Sequence, residues 1–137
     1  MHKKIYTIIT LLALASTSAS TKENYVYTDY IKVTATAYTS STIETDATPY
    51  LAAWRNTLSP TVPSIAVSRD LLDIGLTNGM KVHIKGLKGE FLVLDKMNKR
   101  WKNKIDIYMG DNRQKALNWG KRKVIVYWTD PMYANAK

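Results

Sequence analysis

Residues 90–109 read EFLVLDKMNKRWKNKIDIYM and predict two short strands joined by a polar, basic loop. Apolar and β-branched residues are concentrated at both ends of the stretch, whereas residues 96–104 carry five basic side chains. Asp95 ends the first predicted strand, and Asp106 lies inside the second between two isoleucines. Side chains alternate across a strand, so the isoleucines face one way and Asp106 faces the other way together with Tyr108.

A carboxylate inside a short apolar strand is locally unfavourable, so another part of the fold must supply a reason for it. Two such acids on adjacent strands, Asp95 and Asp106, indicate a functional site. The alternative is structural: Asp95 caps a turn, and Asp106 pairs with one of the nearby lysines on a solvated face. The spacing alone leaves both interpretations open.

The rest of the chain predicts further short strands with long connections. Residues 31–38 alternate between apolar and polar side chains, which is typical of a half-buried strand. The other predicted strands are residues 64–68, 80–85, 90–95 and 123–128, of which the second and third form a hairpin. Six or so short strands with little helix predict a mostly β fold, a small closed barrel.

Two short helical segments are predicted beside these strands. Residues 69–72 form one helical turn, and residues 112–119 form a helix with its N-cap at Gly110 and Asp111. The helix is expected to bury Ala116 together with Leu117 and Trp119. Residues 39–63, rich in Ser, Thr and Pro, predict a long ordered loop.

The N-terminal 20 residues have the pattern of a secretory signal peptide: a basic start, an apolar run at 5–15 and small residues after it. The apolar run is too short to span a bilayer, although a membrane anchor is the alternative. We expect cleavage after Ala19 or Ser20, a linker over residues 21–30, the barrel over 31–129 and a tail over 130–137. The protein is therefore expected to be exported.

Composition narrows the possible chemistry. Twenty basic residues against 11 acidic ones give a formal charge of +9, which favours polyanionic partners. The chain has no cysteine, so the exported domain must be held together by packing alone. His83 stands alone once His2 leaves with the signal peptide, so neither a zinc site nor a Ser-His dyad is expected, and no cofactor is predicted.

The order of these segments resembles the 3D domain, a family named for three aspartates and also found in membrane-bound lytic transglycosylase A and in stationary-phase muralytic proteins. The resemblance covers residues 31–128. It is carried by IKVTATAYT at 31–39, TDATP at 45–49, IAVSRDLL at 65–72, VLD at 93–95 and NKIDIY at 103–108. It implies a six-stranded double-psi β-barrel with one or two short helices. One position departs from the pattern, because Ser68 stands where the family has its first aspartate; Asp70, two residues on, is a possible substitute.

The resemblance also implies an activity, the lytic cleavage of the β-1,4 bond between MurNAc and GlcNAc in peptidoglycan, with 1,6-anhydromuramyl ends as products. Asp106 would be the general acid and then the base, and Asp95 would tune its charge or bind the sugar. Ser68 and Asp70 would support them. A glycan-binding groove is expected from aromatic, polar and basic side chains, each of which could instead be a packing aromatic or a solvated charge: Tyr38, Thr48, Lys99, Arg100 and Trp101.

The mature protein is thus expected to be an exported monomer that acts on peptidoglycan glycan strands in the periplasm, in the cell envelope or outside the cell. Association with an outer membrane is left open, and no transmembrane segment is expected after signal cleavage. One alternative is a non-catalytic peptidoglycan-binding module of the same barrel class. Another is that the basic loop 96–104 binds nucleic acid or anionic lipid. Export argues against a nucleic-acid partner.

Overall fold

The computed structural model of the chain describes residues 3–12, 22–41, 48 and 50–134. Seven strands lie in this part of the chain: β1 Lys3–Leu12, β2 Lys22–Tyr38, β3 Ser64–Val67, β4 Lys81–Ile84, β5 Phe91–Lys96, β6 Lys104–Tyr108 and β7 Arg122–Trp128. The helical segments are short: a 3-10 turn at Ala53–Arg55, a 3-10 helix at Arg69–Ile74 and the α-helix α1 at Arg113–Trp119.

Six of the strands close into a barrel. Their order is β2-β6-β3-β5-β4-β7, and β7 pairs again with β2 to complete the ring. The pairs β2–β6 and β3–β5 are parallel, and the other pairs are antiparallel. The predicted fold class is confirmed: the protein is mostly β, with a closed six-stranded mixed barrel and only short helices.

The barrel interior is filled by alternate side chains of each strand. Val33 and Ala35 on β2, and Ile105 and Ile107 on β6, are buried, as the period-two pattern predicts. They belong to one apolar cluster to which all six barrel strands contribute. Polar and charged residues between them, Asp106 included, therefore lie on the outer face.

The first barrel strand is longer than its sequence pattern predicts. β2 begins at Lys22 and so includes residues 22–30, which were assigned to a linker, and its first half pairs antiparallel with β1. Aromatic and β-branched residues in this stretch favour an extended backbone, and β7 pairs with β2 from Asp29 onward. The export prediction is not tested by this pairing, and the expected cleavage site after Ala19 or Ser20 lies outside the described residues.

The hairpin formed by β4 and β5 is confirmed, as is the helical segment that begins at Arg69. The helix α1 differs from its prediction in two ways. Its N-cap is Asn112, because the helix begins at Arg113, and the Asn112 side chain accepts a hydrogen bond from the Lys115 N–H at 3.0 Å; the Asp111 carboxylate accepts one from the Tyr50 hydroxyl. Leu117 is 57% exposed, since a seven-residue helix buries only the narrow side that carries Ala116.

The end of β6 packs closely against the loop that leads into β3. Gly110 has a positive φ of 59°, and a Cβ built there would lie 2.9 Å from the Cβ of Pro60. Glycine is required here both by the backbone conformation and by the lack of space. This contact ties the predicted loop of residues 39–63 to the barrel wall.

Candidate functional site

Asp95 and Asp106 lie in one row across the outer face of the barrel. Ala66 on β3 is the register partner of Asp106 on β6 and of Asp95 on β5. The prediction that the two acids occupy adjacent strands is therefore wrong, because β3 is inserted between them. With neighbouring strands about 4.8 Å apart, the two Cα atoms are separated by roughly 9.5 Å.

The row continues onto β2 through Thr36, which is the register partner of Asp106. The Thr36 hydroxyl donates a hydrogen bond to Asp106 Oδ1 at 2.9 Å. Because Ile105 and Ile107 are fixed in the core on either side, Asp106 is held on a rigid strand with a polar neighbour beside it. The row thus runs Thr36, Asp106, Ala66, Asp95.

Tyr38 crosses this row. It lies two residues after Thr36 on β2, and its hydroxyl donates to Asp95 Oδ2 at 3.3 Å, although β6 and β3 lie between β2 and β5 in the strand order. The ring also packs against that of Tyr108, with centroids 5.3 Å apart. Tyr38, predicted as a sugar-binding residue, is in contact with one of the two acids, and its role in sugar binding stays a prediction.

The electrostatics of the row act on Tyr38. Burial first, and then the charges of Asp95 and Asp106, raise the pKa of the Tyr38 hydroxyl far above its ordinary value. All of these effects favour the neutral phenol. Tyr38 is therefore a hydrogen-bond donor to Asp95 throughout the ordinary pH range.

Asp95 accepts hydrogen bonds at both carboxylate oxygens. In addition to Tyr38, the backbone N–H groups of Ala53 and of Lys96 each donate to Asp95 Oδ1 at 2.9 Å. The Ala53 contact joins β5 to the 3-10 turn at Ala53–Arg55. The structural interpretation in which Asp95 caps a turn therefore describes a real contact of this residue.

Ser68 and Asp70, predicted to support the acids, hold the start of β6. Ser68 is fully buried; its N–H donates to the Lys104 carbonyl at 2.8 Å, and its hydroxyl accepts from the Lys104 N–H at 3.0 Å. Asp70 Oδ2 accepts from the Asn103 N–H at 2.9 Å. Their contacts fix the C-terminal end of the 97–103 loop, and a supporting role in catalysis stays a prediction.

The charge of Asp70 is stabilised by its surroundings. Partial burial, the largest single effect, raises its pKa, but the Ser68 hydroxyl, the N–H groups of Asn103 and Asp70, and the charge of Lys102 together lower it below the ordinary value. Each of these groups stabilises the ionised carboxylate. Asp70 is thus a charged acceptor in the folded protein.

Of the other predicted groove residues, Trp101 lies beside Lys104, and Arg100 lies beside Trp101. Trp101 is 37% exposed, and the Lys104 ammonium lies 3.8 Å from its ring centroid. Lys104 precedes Asp106 by two residues and so lies on the same face of β6. Arg100 lies 5.0 Å from the same ring, whereas Lys99 and Thr48 are exposed loop residues.

Two residues of the site were not predicted from the sequence, Thr36 and Trp54. Thr36 lies on the polar face that the alternation of residues 31–38 predicts. The sequence does not show that its neighbour on β6 is Asp106. Trp54 follows Ala53 in the turn anchored by Asp95, and the Lys96 ammonium lies 5.4 Å from its ring centroid. No local pattern marks Trp54, because its position depends on a contact between residues 42 apart in the chain.

An apolar cavity of about 610 Å³ lies elsewhere, between α1, the β4–β5 turn and the loop before β3. Pro63, Leu87, Phe91 and Trp119 line it, with Lys115 and Arg122 among its polar lining residues. Neither Asp95 nor Asp106 belongs to its lining. The two acids therefore lie outside this cavity.

Within the described part of the chain, no group of three or more histidine and acidic side chains is placed to bind a metal ion. The ring of His83 packs against those of Tyr27 and Tyr127, at centroid distances of 6.0 and 6.3 Å. Among the same described residues, no helix has the length and apolar character needed to cross a membrane.

Comparison with known proteins adds no assignment: the chain matches no protein-family model, and none of the curated proteins matches it. A function for the chain is therefore inferred from the row of Thr36, Asp106, Ala66 and Asp95 and from the resemblance to the 3D domain.

Proposed function

We propose that the row of Thr36, Asp106, Ala66 and Asp95 is the active site of an exported lytic transglycosylase that cleaves the β-1,4 bond between MurNAc and GlcNAc in peptidoglycan. The observation that supports this most is that Asp95 and Asp106 flank the same residue on the outer face of a closed six-stranded barrel. The barrel agrees with the architecture that the 3D-domain resemblance implies. The formal charge of +9 suits a polyanionic cell wall.

Asp106 is the residue to which we assign proton transfer. Its position between two buried isoleucines holds its Cα and Cβ rigidly, and Thr36 orients one carboxyl oxygen at 2.9 Å. Both oxygens of Asp95 already accept hydrogen bonds that fix Tyr38 and the turn at Ala53–Arg55. Asp95 therefore holds a loop to the barrel through its hydrogen bonds, and the 3D-domain resemblance assigns proton transfer to Asp106.

In the proposed reaction, Asp106 gives its proton to the glycosidic oxygen as the bond from C1 of MurNAc to that oxygen breaks. The C6 hydroxyl oxygen of the same MurNAc then bonds to C1, and its proton passes to Asp106, which regains its starting state. The products are a GlcNAc end with a free 4-hydroxyl and a 1,6-anhydromuramyl end, so no water is consumed. Asp95 contributes negative charge near the oxocarbenium-like centre.

Digestion of purified sacculi tests the activity directly. The wild-type protein should release soluble muropeptides over time, and Asp106→Asn should release them far more slowly while still binding the sacculi. Fragment release should depend on enzyme concentration and be absent from a heat-denatured sample.

The second candidate is a non-catalytic peptidoglycan-binding module. It is favoured by the structural contacts of Asp95, which would be the same in a protein without chemistry. If the wild-type protein binds sacculi but releases no soluble fragment, this candidate is supported and the enzymatic function is ruled out.

A further inference from the structure

Residues 50–58 form a compact loop whose two sides are joined by hydrogen bonds. The Leu58 N–H donates to the Tyr50 carbonyl at 2.7 Å, and the Ala52 N–H donates to the Asn56 carbonyl at 2.8 Å. An isolated bridge pairs Leu51 with Thr57. The side chain of Leu58 is buried, so the base of the loop is fixed and its tip is the turn at Ala53–Arg55.

The tip of this loop has a strained backbone. Trp54 and Arg55 have φ values of 55° and 61°, in the left-handed region that side chains other than glycine rarely adopt. Each costs roughly 1–2 kcal/mol relative to an ordinary conformation. Strain of this kind persists only where surrounding contacts impose it, and it is concentrated at functional sites.

The contacts that impose the strain come from the candidate active site. The Ala53 N–H donates to Asp95 Oδ1 at 2.9 Å. On the other side of the tip, the Asn56 amide donates to the Leu94 carbonyl at 2.8 Å and to Asn78 Oδ1 at 2.7 Å. Trp54 is thereby held one residue from the hydrogen bond that reaches Asp95, and 36% of its surface is exposed.

A tryptophan is an unfavourable residue for a tight turn with positive φ, which glycine or asparagine would form without strain. The tip therefore keeps an aromatic side chain at a cost to stability, next to an acid of the proposed active site. The Lys96 ammonium lies 5.4 Å from the centroid of the Trp54 ring, which places a cation beside an apolar surface. An exposed aromatic face suits a pyranose ring, and the ammonium suits a carboxylate on that ring.

We infer that Trp54 and Lys96 form a binding subsite for the muramyl residue of the glycan strand, with the sugar ring on the indole and the lactyl carboxylate at the ammonium. The inference rests on the proposed function and names the sugar unit that this side of the site recognises. The role of Asp95 is then also to position the turn that carries Trp54.

The test uses the Asp106→Asn protein, so that strands are bound without being cut, and peptide-free glycan strands, in which the lactyl carboxylates are uncovered. Trp54→Gly removes the ring and relieves the backbone strain at the same position, so it should fold at least as stably as its parent. We expect it to bind the strands about three- to tenfold more weakly by titration calorimetry. Arg55→Gly is the matched control, because it relieves the same kind of strain and keeps the ring; its affinity should be unchanged.

Lys96→Gln tests the contact with the lactyl carboxylate separately from the contact with the sugar ring. It should weaken binding of peptide-free strands and leave unchanged the weaker binding of chitooligosaccharides, which carry no lactyl group. If Trp54→Gly and Arg55→Gly bind the strands with equal affinity while the wild-type protein releases fragments from sacculi, the Trp54 subsite is ruled out and the proposed function stands. Failure of the wild type to release fragments counts against the proposed function, whatever the Trp54 variants bind.

Discussion

Asp106 and Asp95 flank the same alanine on the barrel surface but are held in different ways. Asp106 is part of the regular barrel wall, oriented by the alternation of β6 and bonded to Thr36 on the neighbouring strand. Asp95 joins the wall to an irregular loop through the Ala53 N–H and carries the Tyr38 hydroxyl on its other oxygen. From this difference we propose that Asp106 is placed for chemistry and that Asp95 organises the surface around it.

Asp106→Asn is expected to have the largest effect, because it should abolish the proposed chemistry and leave the fold intact. The amide has nearly the same shape as the carboxyl, so the packing of Ile105 and Ile107 should survive and the denaturation midpoint should stay close to that of the wild type. The amide cannot deliver a proton, so the rate of fragment release from sacculi should fall by about 10²–10⁴-fold. Initial rates measured beside urea denaturation curves check both points, and a folded variant with near-wild-type turnover would contradict the assignment.

Asp95→Ala should instead affect the fold. The substitution leaves the N–H groups of Ala53 and Lys96 and the Tyr38 hydroxyl without their acceptor, and a part-buried donor left unpaired is costly. We expect the free energy of unfolding to fall by about 2–3 kcal/mol, measured by urea denaturation. The matched change on the other acid's partner, Thr36→Val, removes one hydrogen bond and should cost only about 1 kcal/mol. Equal losses in the two variants would remove the proposed difference between the acids.

The far end of the strand that carries Asp106 depends on a close contact with the 58–63 loop. Gly110→Ala would place a methyl group 2.9 Å from the Cβ of Pro60 in addition to straining a positive φ. Gly79→Ala is the control, because its φ is also positive but no atom lies within 4 Å of the added Cβ. We expect Gly110→Ala to lose about 1–2 kcal/mol more than the control in urea denaturation, as a steric conflict adds to the strain. Equal losses would show that Pro60 moves aside without cost.

The start of the same strand should contribute a small, pH-dependent stability through Asp70. Its pKa is lowered in the folded protein, so the carboxylate stabilises the fold above the unfolded-state pKa of about 3.9, and this contribution is lost as the pH falls through the folded-state pKa. The difference in melting temperature between wild type and Asp70→Asn should therefore be largest near neutral pH and should shrink in acid. A difference that grew on acidification would mean that the sign of the pKa shift is opposite.

The regular wall of the barrel could be predicted from the sequence, because the alternation of apolar and polar residues is a local pattern. Alternation around Val33 and Ala35, and around Ile105 and Ile107, identified the buried faces, and it also placed Asp106 on the outer face. The insertion of β3 between β5 and β6 was not accessible, because strand order depends on long-range pairing that no short pattern encodes. That insertion is the reason why the two acids are farther apart than the sequence predicts.

The irregular half of the site was missed for a related reason. The turn at Ala53–Arg55 contains no glycine that would predict a positive φ, and it is held by hydrogen bonds to Asp95 and Leu94, which lie outside the loop. The N-cap of α1 shows the same limit on a smaller scale. Asp111 is as good a capping residue as Asn112, and only the structure shows that the helix begins at Arg113 and that Asn112 caps it.

The masses of the fragments released from sacculi test the central claim most directly. If Asp106 serves first as acid and then as base for the substrate's own C6 hydroxyl, each fragment from wild-type digestion should end in 1,6-anhydro-MurNAc, lighter by one water than the product of hydrolysis. Asp106→Asn should release almost none of these fragments. Fragments ending in reducing MurNAc would contradict the transglycosylase mechanism in favour of a water nucleophile, and the absence of any fragment from wild-type protein would contradict the enzyme itself.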